Sequence, residues 1–426
     1  MIRSFNEKLI WGPVVLLIGA FISIMNTPAN AVTPRDFGGK GDVVTLRDGA
    51  VSAGAATFRS SSATFTSADV GKAIVVIGAG NGGGALITGI QSYVSAKQVT
   101  LAGSATASVT GALTYYGTDD TAAIRSCVYQ GTTKGGECTI SDGVTFMVSN
   151  SRSTIAPIDA GNNPIQGGAI NGHGRLIFAP QGTLTGGTND RFFYITSREG
   201  HPAPIADAIQ KGATSFRVKD PSTAATLAAG DWVIVTEMDS VAGDVVYVDW
   251  MEVSAVEGDV VRTANPFRMA FPNARPYEGP PKHFGLTFRK VGQITSNLTV
   301  RDITIIIPRV VQEKHVLVGI ATRDTRGTVV SNVTCQDGSG NCFAGYMDNG
   351  MTFVDNNFNG TIYSEFAAQV GANISRNHIN EPGKDLSLPS PPDDRRFGSR
   401  LRHSLQCRRG EHCGPHSAGV SHVCAW

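Results

Sequence analysis

Residues 300–305 read VRDITI, and similar stretches recur as VSNVTC (330–335), VDNNFN (354–359) and SRNHIN (375–380). Each combines short apolar strands with a polar turn, and Asn suits such a turn because it accepts left-handed backbone angles. The pattern predicts one recurring turn position, occupied in the four stretches by Asp302, Asn332, Asn356 and Asn377. Separations of 30, 24 and 21 residues between these positions are typical of a solenoid, in which each repeat packs on the next.

The composition favours β-structure and excludes several classes of protein. Glycine accounts for 50 of 426 residues, well above its usual share of ~7%. Together with many Val and Thr residues, this favours strands joined by tight turns. Residues 32–381 carry 27 Lys and Arg against 30 Asp and Glu. Without a basic excess, the chain is not expected to hold nucleic acid by its phosphates.

The first 31 residues are typical of an export signal. Arg3 and Lys8 precede an apolar stretch from Leu9 to Met25, and an Ala-Asn-Ala cleavage site follows at 29–31. The alternative is an uncleaved membrane anchor. We predict that residues 1–31 are a signal peptide and that the mature protein is secreted or periplasmic, with no membrane partner after cleavage.

Two short motifs near the N-terminus flank a strand-rich segment. FGGKGD at 37–42 and GTDDTAAI at 117–124 flank residues 51–116, whose short Thr- and Val-rich runs predict a small all-β insert. Thr118 or Asp119 is expected to cap a short helix that begins in the second motif.

Joined across the insert, the two motifs resemble the opening of pectate-lyase-superfamily proteins, and the split form is similar to that of polygalacturonase-like and phage-tailspike members. The resemblance covers about residues 35–180. It implies an all-β fold: a right-handed parallel β-helix solenoid with a short N-terminal capping helix, here carrying two small β inserts. It implies no single activity, because this fold is found in lyases, hydrolases, epimerases and non-catalytic adhesive proteins.

The same interpretation divides the chain into five parts. They are a signal peptide (1–31), the cap and first coils with their insert (32–180), a β-rich excursion (181–291), further coils (292–381), and an aberrant or disordered tail (382–426). The tail lacks β periodicity where the next repeat is due. A shifted reading frame, a disordered basic tail or a Cys- and His-rich metal-binding tract would each account for it, and the first predicts a C-terminally truncated protein.

The excursion mixes aromatic residues with carboxylates. Its alternating strands contain Trp232, Tyr247 and Trp250, and sugar rings stack on such side chains. We predict these three, with His315 in a polar stretch of a later coil, as substrate-binding residues. The alternative for the tryptophans is the core of a small sheet.

The most polar coils supply candidate catalytic residues. Asp324, Asp337 and Asp348 would project from successive coils onto one face, where a strand spacing of ~4.8 Å brings carboxylates together. Arg326 lies beside them in the sequence. Paired carboxylates suit glycoside hydrolysis. For a lyase, the resemblance implies an Arg or Lys base and Ca²⁺ that neutralises the substrate carboxylate, with its ligands unassigned. The alternative is that these are solvated turn residues.

Four cysteines form two local pairs, Cys127 with Cys138 and Cys335 with Cys342. Disulfides are reasonable in an exported protein, and four buried thiols are the alternative. Taken together, the sequence predicts an exported lyase or glycoside hydrolase acting on an acidic polysaccharide. The alternatives are a non-catalytic glycan-binding or adhesive surface protein, or an inactive frameshift product.

Overall fold

The computed structural model describes residues 31–132, 135–149, 165–180, 190–238, 245–274, 277–278, 285–310, 317–336, 341–359, 365–367 and 369–380. These residues are mostly β-structure, which confirms the predicted all-β class. The two α-helices among them are α1 (Thr121–Thr132) and α2 (Pro221–Ala224). No helix in the described ranges is long and apolar enough to cross a membrane. The predicted signal peptide, apart from Ala31, and the predicted tail lie outside the described residues.

Three parallel sheets are built by a chain that visits them in turn. The first sheet contains β1 (Ala31–Val32), β8 (Glu137–Thr139), β10 (Ala169–Asn171), β20 (Thr299–Arg301), β23 (Val329–Ser331), β26 (Thr352–Val354) and β29 (Asn373–Ser375). The second contains β9 (Thr145–Val148), β11 (Arg175–Phe178), β21 (Thr304–Ile306), β24 (Thr334–Gln336), β27 (Asn357–Asn359) and β30 (His378–Asn380). The third contains β12 (Asp190–Thr196), β22 (Leu317–Arg323), β25 (Asn341–Tyr346) and β28 (Glu365–Ala367). From β10 to β28, each circuit of the chain, such as β20 to β22, adds one strand to each sheet, and we call the assembly the three-sheet stack.

One hydrophobic core fills the space between the three sheets. Because strand side chains alternate, each sheet contributes an inward row of apolar residues. Members of these rows are Ile170, Val300, Val330 and Phe353 from the first sheet, Leu176, Ile305 and Phe358 from the second, and Phe193, Ile320 and Phe343 from the third. Helix α1 adds Ile124 and Val128 at the N-terminal end of this core.

The register of the first sheet corrects the predicted turn position. Strands β20, β23, β26 and β29 align so that Asp302 and Asn332 are followed in the next circuits by Asp355 and Arg376. All four residues have a left-handed φ of 51–59°. The predicted Asn356 and Asn377 lie one residue later, because the circuit between the second and third turns is one residue shorter than the spacing of the asparagines suggests.

Those two asparagines instead form a ladder next to the turn. Asn356 is buried, and its Nδ2 donates to Asn377 Oδ1 at 2.9 Å and to Val330 O at 3.1 Å. Its Oδ1 accepts from Val333 N at 2.9 Å. The amide group therefore bridges successive circuits through both of its polar atoms.

The first insert is a closed barrel. Its strands are β2 (Val44–Val51), β3 (Thr57–Arg59), β4 (Ala73–Val76), β5 (Leu86–Ser95), β6 (Gln98–Leu101) and β7 (Val109–Gly117), so it includes residues before position 51. Ala73, Val75 and Tyr115 pack on Ile177 and Ile306 of the second sheet. The barrel thus covers the early circuits of that sheet from outside.

The second excursion is an antiparallel sheet that leaves after β12 and returns before β20. Its strands are β13 (Arg198–Glu199), β14 (Ala203–Pro204), β15 (Ser215–Arg217), β16 (Trp232–Met238), β17 (Val245–Glu257), β18 (Val260–Thr263) and β19 (Gly285–Gln293). Its two ends are joined where Thr295 N donates to Ser197 Oγ at 2.9 Å. One face carries its own core, and the other packs on Met347 and Val370, at the end of the third sheet.

Candidate functional site

Arginine side chains stack on aromatic rings on the third sheet and at its end. The guanidinium carbon lies 4.2 Å from the ring centroid for Arg191 over Tyr194, 5.4 Å for Arg323 over Tyr346, and 4.1 Å for Arg326 over Trp232. Strong contacts of this kind occur about once per 70–80 residues. Three of them on one four-stranded sheet and at its end are therefore more than that frequency predicts. We call these six residues the arginine–aromatic face.

Strand alternation places Tyr194, Arg323 and Tyr346 on the outer side of the third sheet. Ile320 and Phe343 are paired across β22 and β25 and face the core. Arg323 and Tyr346 are also paired, three residues further along, and are half-buried on the opposite side. Tyr194 lies on the same outer side of β12, paired with Ala321 of β22.

The turn after β22 presents Arg326 to solvent. Asp324 turns the chain with a left-handed φ of 55°, and Gly327 does so again with a φ of 64°. A Cβ at Gly327 would lie 2.5 Å from Asn297 Oδ1, and the positive φ is one that residues with a side chain rarely adopt, so glycine is favoured here. Arg326 is exposed, and its guanidinium pairs with no carboxylate in the described part of the chain.

Asp324, predicted to be catalytic, is fully buried beneath the face. Its Oδ1 accepts from Arg289 Nη2 at 2.7 Å, and its Oδ2 accepts from Arg323 Nε at 3.3 Å. Arg289 belongs to β19 of the excursion. The carboxylate therefore anchors the excursion to the three-sheet stack and helps to hold Arg323 in position.

Asp348 is also fully buried, in a shell of hydrogen-bond donors. It accepts from Thr322 Oγ1 at 2.6 Å, from Thr325 N at 3.0 Å and Oγ1 at 2.8 Å, and from Gln369 Nε2 at 3.1 Å. Burial raises the pKa of Asp348, although these hydrogen bonds oppose the rise.

The two aspartates do not stack on each other as expected. Arg326 pairs with Asn349 in the neighbouring circuit, so Asp348 lies opposite Thr325 rather than opposite Asp324. The causes of burial differ: the excursion covers Asp324, which pairs with Arg289 of β19, whereas Asp348 is enclosed by Thr322, Thr325 and Gln369 of the three-sheet stack. The sequence could not reveal this cover, because the excursion is distant along the chain.

The predicted aromatic residues have different surroundings. Trp250 is buried, 3% exposed, and its Nε1 donates to Met347 O at 2.9 Å, so its ring belongs to the packing between excursion and stack. Tyr247 is half-buried against Phe271, with ring centroids 6.0 Å apart. Trp232 is half-buried between Trp250, at 6.3 Å, and the guanidinium of Arg326. Each of the three rings thus packs against other side chains of the protein, and none presents a fully exposed face on which a sugar ring could stack.

Two predicted site residues, Asp337 and His315, lie outside the described residues. Within the described ranges, no group of three or more His, Cys, Asp or Glu side chains is arranged to hold a metal ion. The structure joins Cys127 to Cys138, with Cα atoms 5.3 Å apart, and Cys335 to Cys342, with Cα atoms 6.1 Å apart. The first bridge ties α1 to β8, and the second joins β24 to β25.

Sequence reasoning did not find Arg191, Tyr194, Arg289, Arg323 or Tyr346. Arg323 and Tyr346 are 23 residues apart, one circuit of the chain, and a correct circuit length would have placed them side by side. The exposed guanidinium of Arg326 can bind anions, because stacking on Trp232 covers its flat side and leaves its N–H edge for carboxylate, sulfate or phosphate oxygens.

No protein-family model matches the chain, and no curated protein matches it. It is similar to the tailspike gp61 of Pseudomonas phage phi297, with 12% identity and a TM-score of 0.40 over 61% of this chain and 39% of that one. It is also similar to the tailspike protein gp49 of Pseudomonas phage LKA1, with 16% identity and a TM-score of 0.32 over 59% and 42%. The Gp54 tailspike of Acinetobacter baumannii bacteriophage AP22, solved in complex with A. baumannii capsular saccharide, has 12% identity and a TM-score of 0.30 over 61% and 44%. The chain thus spans about two fifths of the length of these structures.

Proposed function

We propose that the protein is an exported right-handed parallel β-helix that binds an acidic polysaccharide through its arginine–aromatic face. The observation that carries the proposal is the exposed guanidinium of Arg326, backed by Trp232 at 4.1 Å. The parallel sheets with their shared core support the β-helix, and the pattern of residues 1–31 supports export.

Local charge favours an anionic ligand, although the body of the chain has a slight acidic excess. Near the end of the third sheet, Arg289 and Arg323 share the buried carboxylate of Asp324, and Arg326 lies exposed over Trp232. Burial also favours the neutral form of Asp348. Because Arg326 is already stacked, it loses less conformational freedom on binding than a mobile side chain would.

The geometry supports binding more than cleavage. Glycoside hydrolysis uses two carboxyl groups that flank the scissile bond, and Asp324 and Asp348 are both buried and hydrogen-bonded within the protein. Lyase or hydrolase activity on the same polysaccharide would need groups besides these two.

Affinity electrophoresis of the full chain tests the proposal. Gels containing polygalacturonate, alginate or hyaluronate are expected to retard the protein, whereas neutral dextran is not. Arg326→Ala should weaken binding by about 10-fold, the value of one charge-assisted contact. Arg217→Ala is the matched control, because Arg217 is an exposed arginine that pairs with Asp259 on the excursion.

Equal migration in acidic and neutral gels would contradict the proposal, and raised salt should reduce any retardation. Newly formed reducing ends or unsaturated sugars in the same mixtures would instead indicate cleavage. Mass spectrometry of the secreted protein should give Val32 as the first residue, and a retained N-terminal segment would contradict signal cleavage.

A further inference from the structure

We propose that the binding site extends across three strands of the third sheet, so that Arg191 and Arg323 contact two separate acidic groups of one saccharide chain. This inference rests on the proposed function and adds the length and charge spacing of the ligand. It also assigns the stack of Arg191 on Tyr194 a contact separate from that of Arg326.

Strand register gives the spacing between the two stacks. The Arg191 guanidinium lies over Tyr194 on β12, and the Arg323 guanidinium lies over Tyr346 on β25, with β22 between the two strands. Tyr194 aligns with Ala321, two residues before Arg323. Two strand spacings and two residues of rise separate the guanidinium groups by about 12 Å.

Small side chains lie between the stacks. The row that begins at Tyr194 continues through Ala321 to Ala344, so no large side chain stands between the two arginines on that row. Ala321 is buried and Ala344 is half-buried, so the two alanines form a shallow surface between the stacks. A saccharide chain that crosses the strands can therefore lie on this surface and reach both arginines.

The spacing defines the class of ligand. Acidic groups about 12 Å apart lie on sugars that are not direct neighbours in a chain, so the face matches a saccharide that carries an acidic group on at least every second sugar. A single acidic sugar or a disaccharide can reach only one guanidinium at a time. A longer chain gains the second contact without a second loss of translational freedom.

Calorimetry with size-fractionated polygalacturonate and hyaluronate tests this inference, using fragments of about two and about six sugars. The wild-type chain is expected to bind the longer fragments at least about 10-fold more tightly than the shorter ones. Arg191→Gln should remove most of that advantage while changing the affinity for short fragments by less than about 3-fold.

Two further variants keep the result interpretable. Arg191→Lys retains the charge without the planar fork and should show an intermediate loss, and Arg217→Ala should behave like wild type. The unfolding midpoint of each variant, measured by circular dichroism, shows whether it is folded. If Arg191→Gln unfolds, Arg191→Lys carries the test.

Each outcome supports or overturns the inference. Binding that depends on Arg326 but is independent of Arg191 and of fragment length would overturn the extended site and leave the proposed function intact. No binding of any acidic fragment or polysaccharide by the wild-type chain would overturn both. A length advantage that is lost with Arg191 supports both.

Discussion

At Asp348, two opposing effects act on one carboxyl group. Removal from water favours the neutral form, while donors from Thr322, Thr325 and Gln369 favour the ionised form. Burial is the stronger effect, so the pKa in the folded protein lies above its value in the unfolded chain. The folded state therefore binds the proton more tightly, and this group's contribution to stability is lost as pH rises from the unfolded pKa through the folded pKa.

Asp348→Asn should therefore become more stable relative to wild type as pH increases from about 4 to 7, by about 1.4 kcal/mol for each unit of pKa shift removed. Urea denaturation at several pH values measures the difference. Asp355→Asn is the opposite control: Arg376 lowers the pKa of Asp355, so this variant should lose stability relative to wild type as pH rises toward about 4 and change little above about 5. A difference for Asp348→Asn that does not change with pH would contradict the explanation.

At the scale of one element, the N-terminal cap joins the two halves of the split motif. Asp120 is buried just before α1 and accepts from Lys40 N at 2.7 Å and Gly41 N at 3.1 Å. Asp42 in turn accepts from Thr118 N at 2.8 Å and Thr118 Oγ1 at 2.9 Å. These bonds close the base of the barrel. They hold the two halves of the motif together although an insert of more than 60 residues separates them along the chain.

Asp120→Ala should lower the free energy of unfolding by about 1–3 kcal/mol, because two backbone N–H groups lose their acceptors. Chemical denaturation measures the loss. Asp142→Ala is a suitable control, since Asp142 is exposed and accepts from the neighbouring Gly143 N. Equal stability of Asp120→Ala and wild type would show that these bonds do not hold the cap.

At the scale of the whole molecule, the outer face of the second sheet changes character where the barrel ends. Met147, Ile177 and Ile306 occupy equivalent positions in successive circuits and pack under the barrel. In the next circuit the equivalent residue is Gln336. The apolar row therefore marks the area that the barrel covers, and the polar residue marks its end.

Ile306→Ala should destabilise the protein by about 2–5 kcal/mol, because it opens a cavity between barrel and sheet. Gln336→Ala, one circuit away, should change stability by less than about 0.5 kcal/mol. Thermal unfolding with limited proteolysis measures both, and the first variant should expose the barrel to protease earlier. Similar losses in the two variants would argue against docking of the barrel on this row.

Local patterns were enough to predict the strand-rich class, the recurring turns and the short helix that contains Cys127, since each depends on neighbours a few residues apart. Other features depended on the length of each circuit. The left-handed turn positions in the last circuits were displaced by one residue, and the partnership of Arg323 with Tyr346 was not foreseen. A shift of one residue in a strand reverses the face of every side chain.

The exposure of Asp324, Asp348 and Trp250 also lay beyond sequence reasoning. Asp324 and Trp250 are buried because the excursion between β12 and β20 returns to pack on the end of the third sheet, and Asp348 is buried because residues of three successive circuits enclose it. A polar residue in a turn has the same local sequence whether water or another element lies over it. Only long-range packing decided which arginines remain at the surface, and therefore where an acidic ligand can bind.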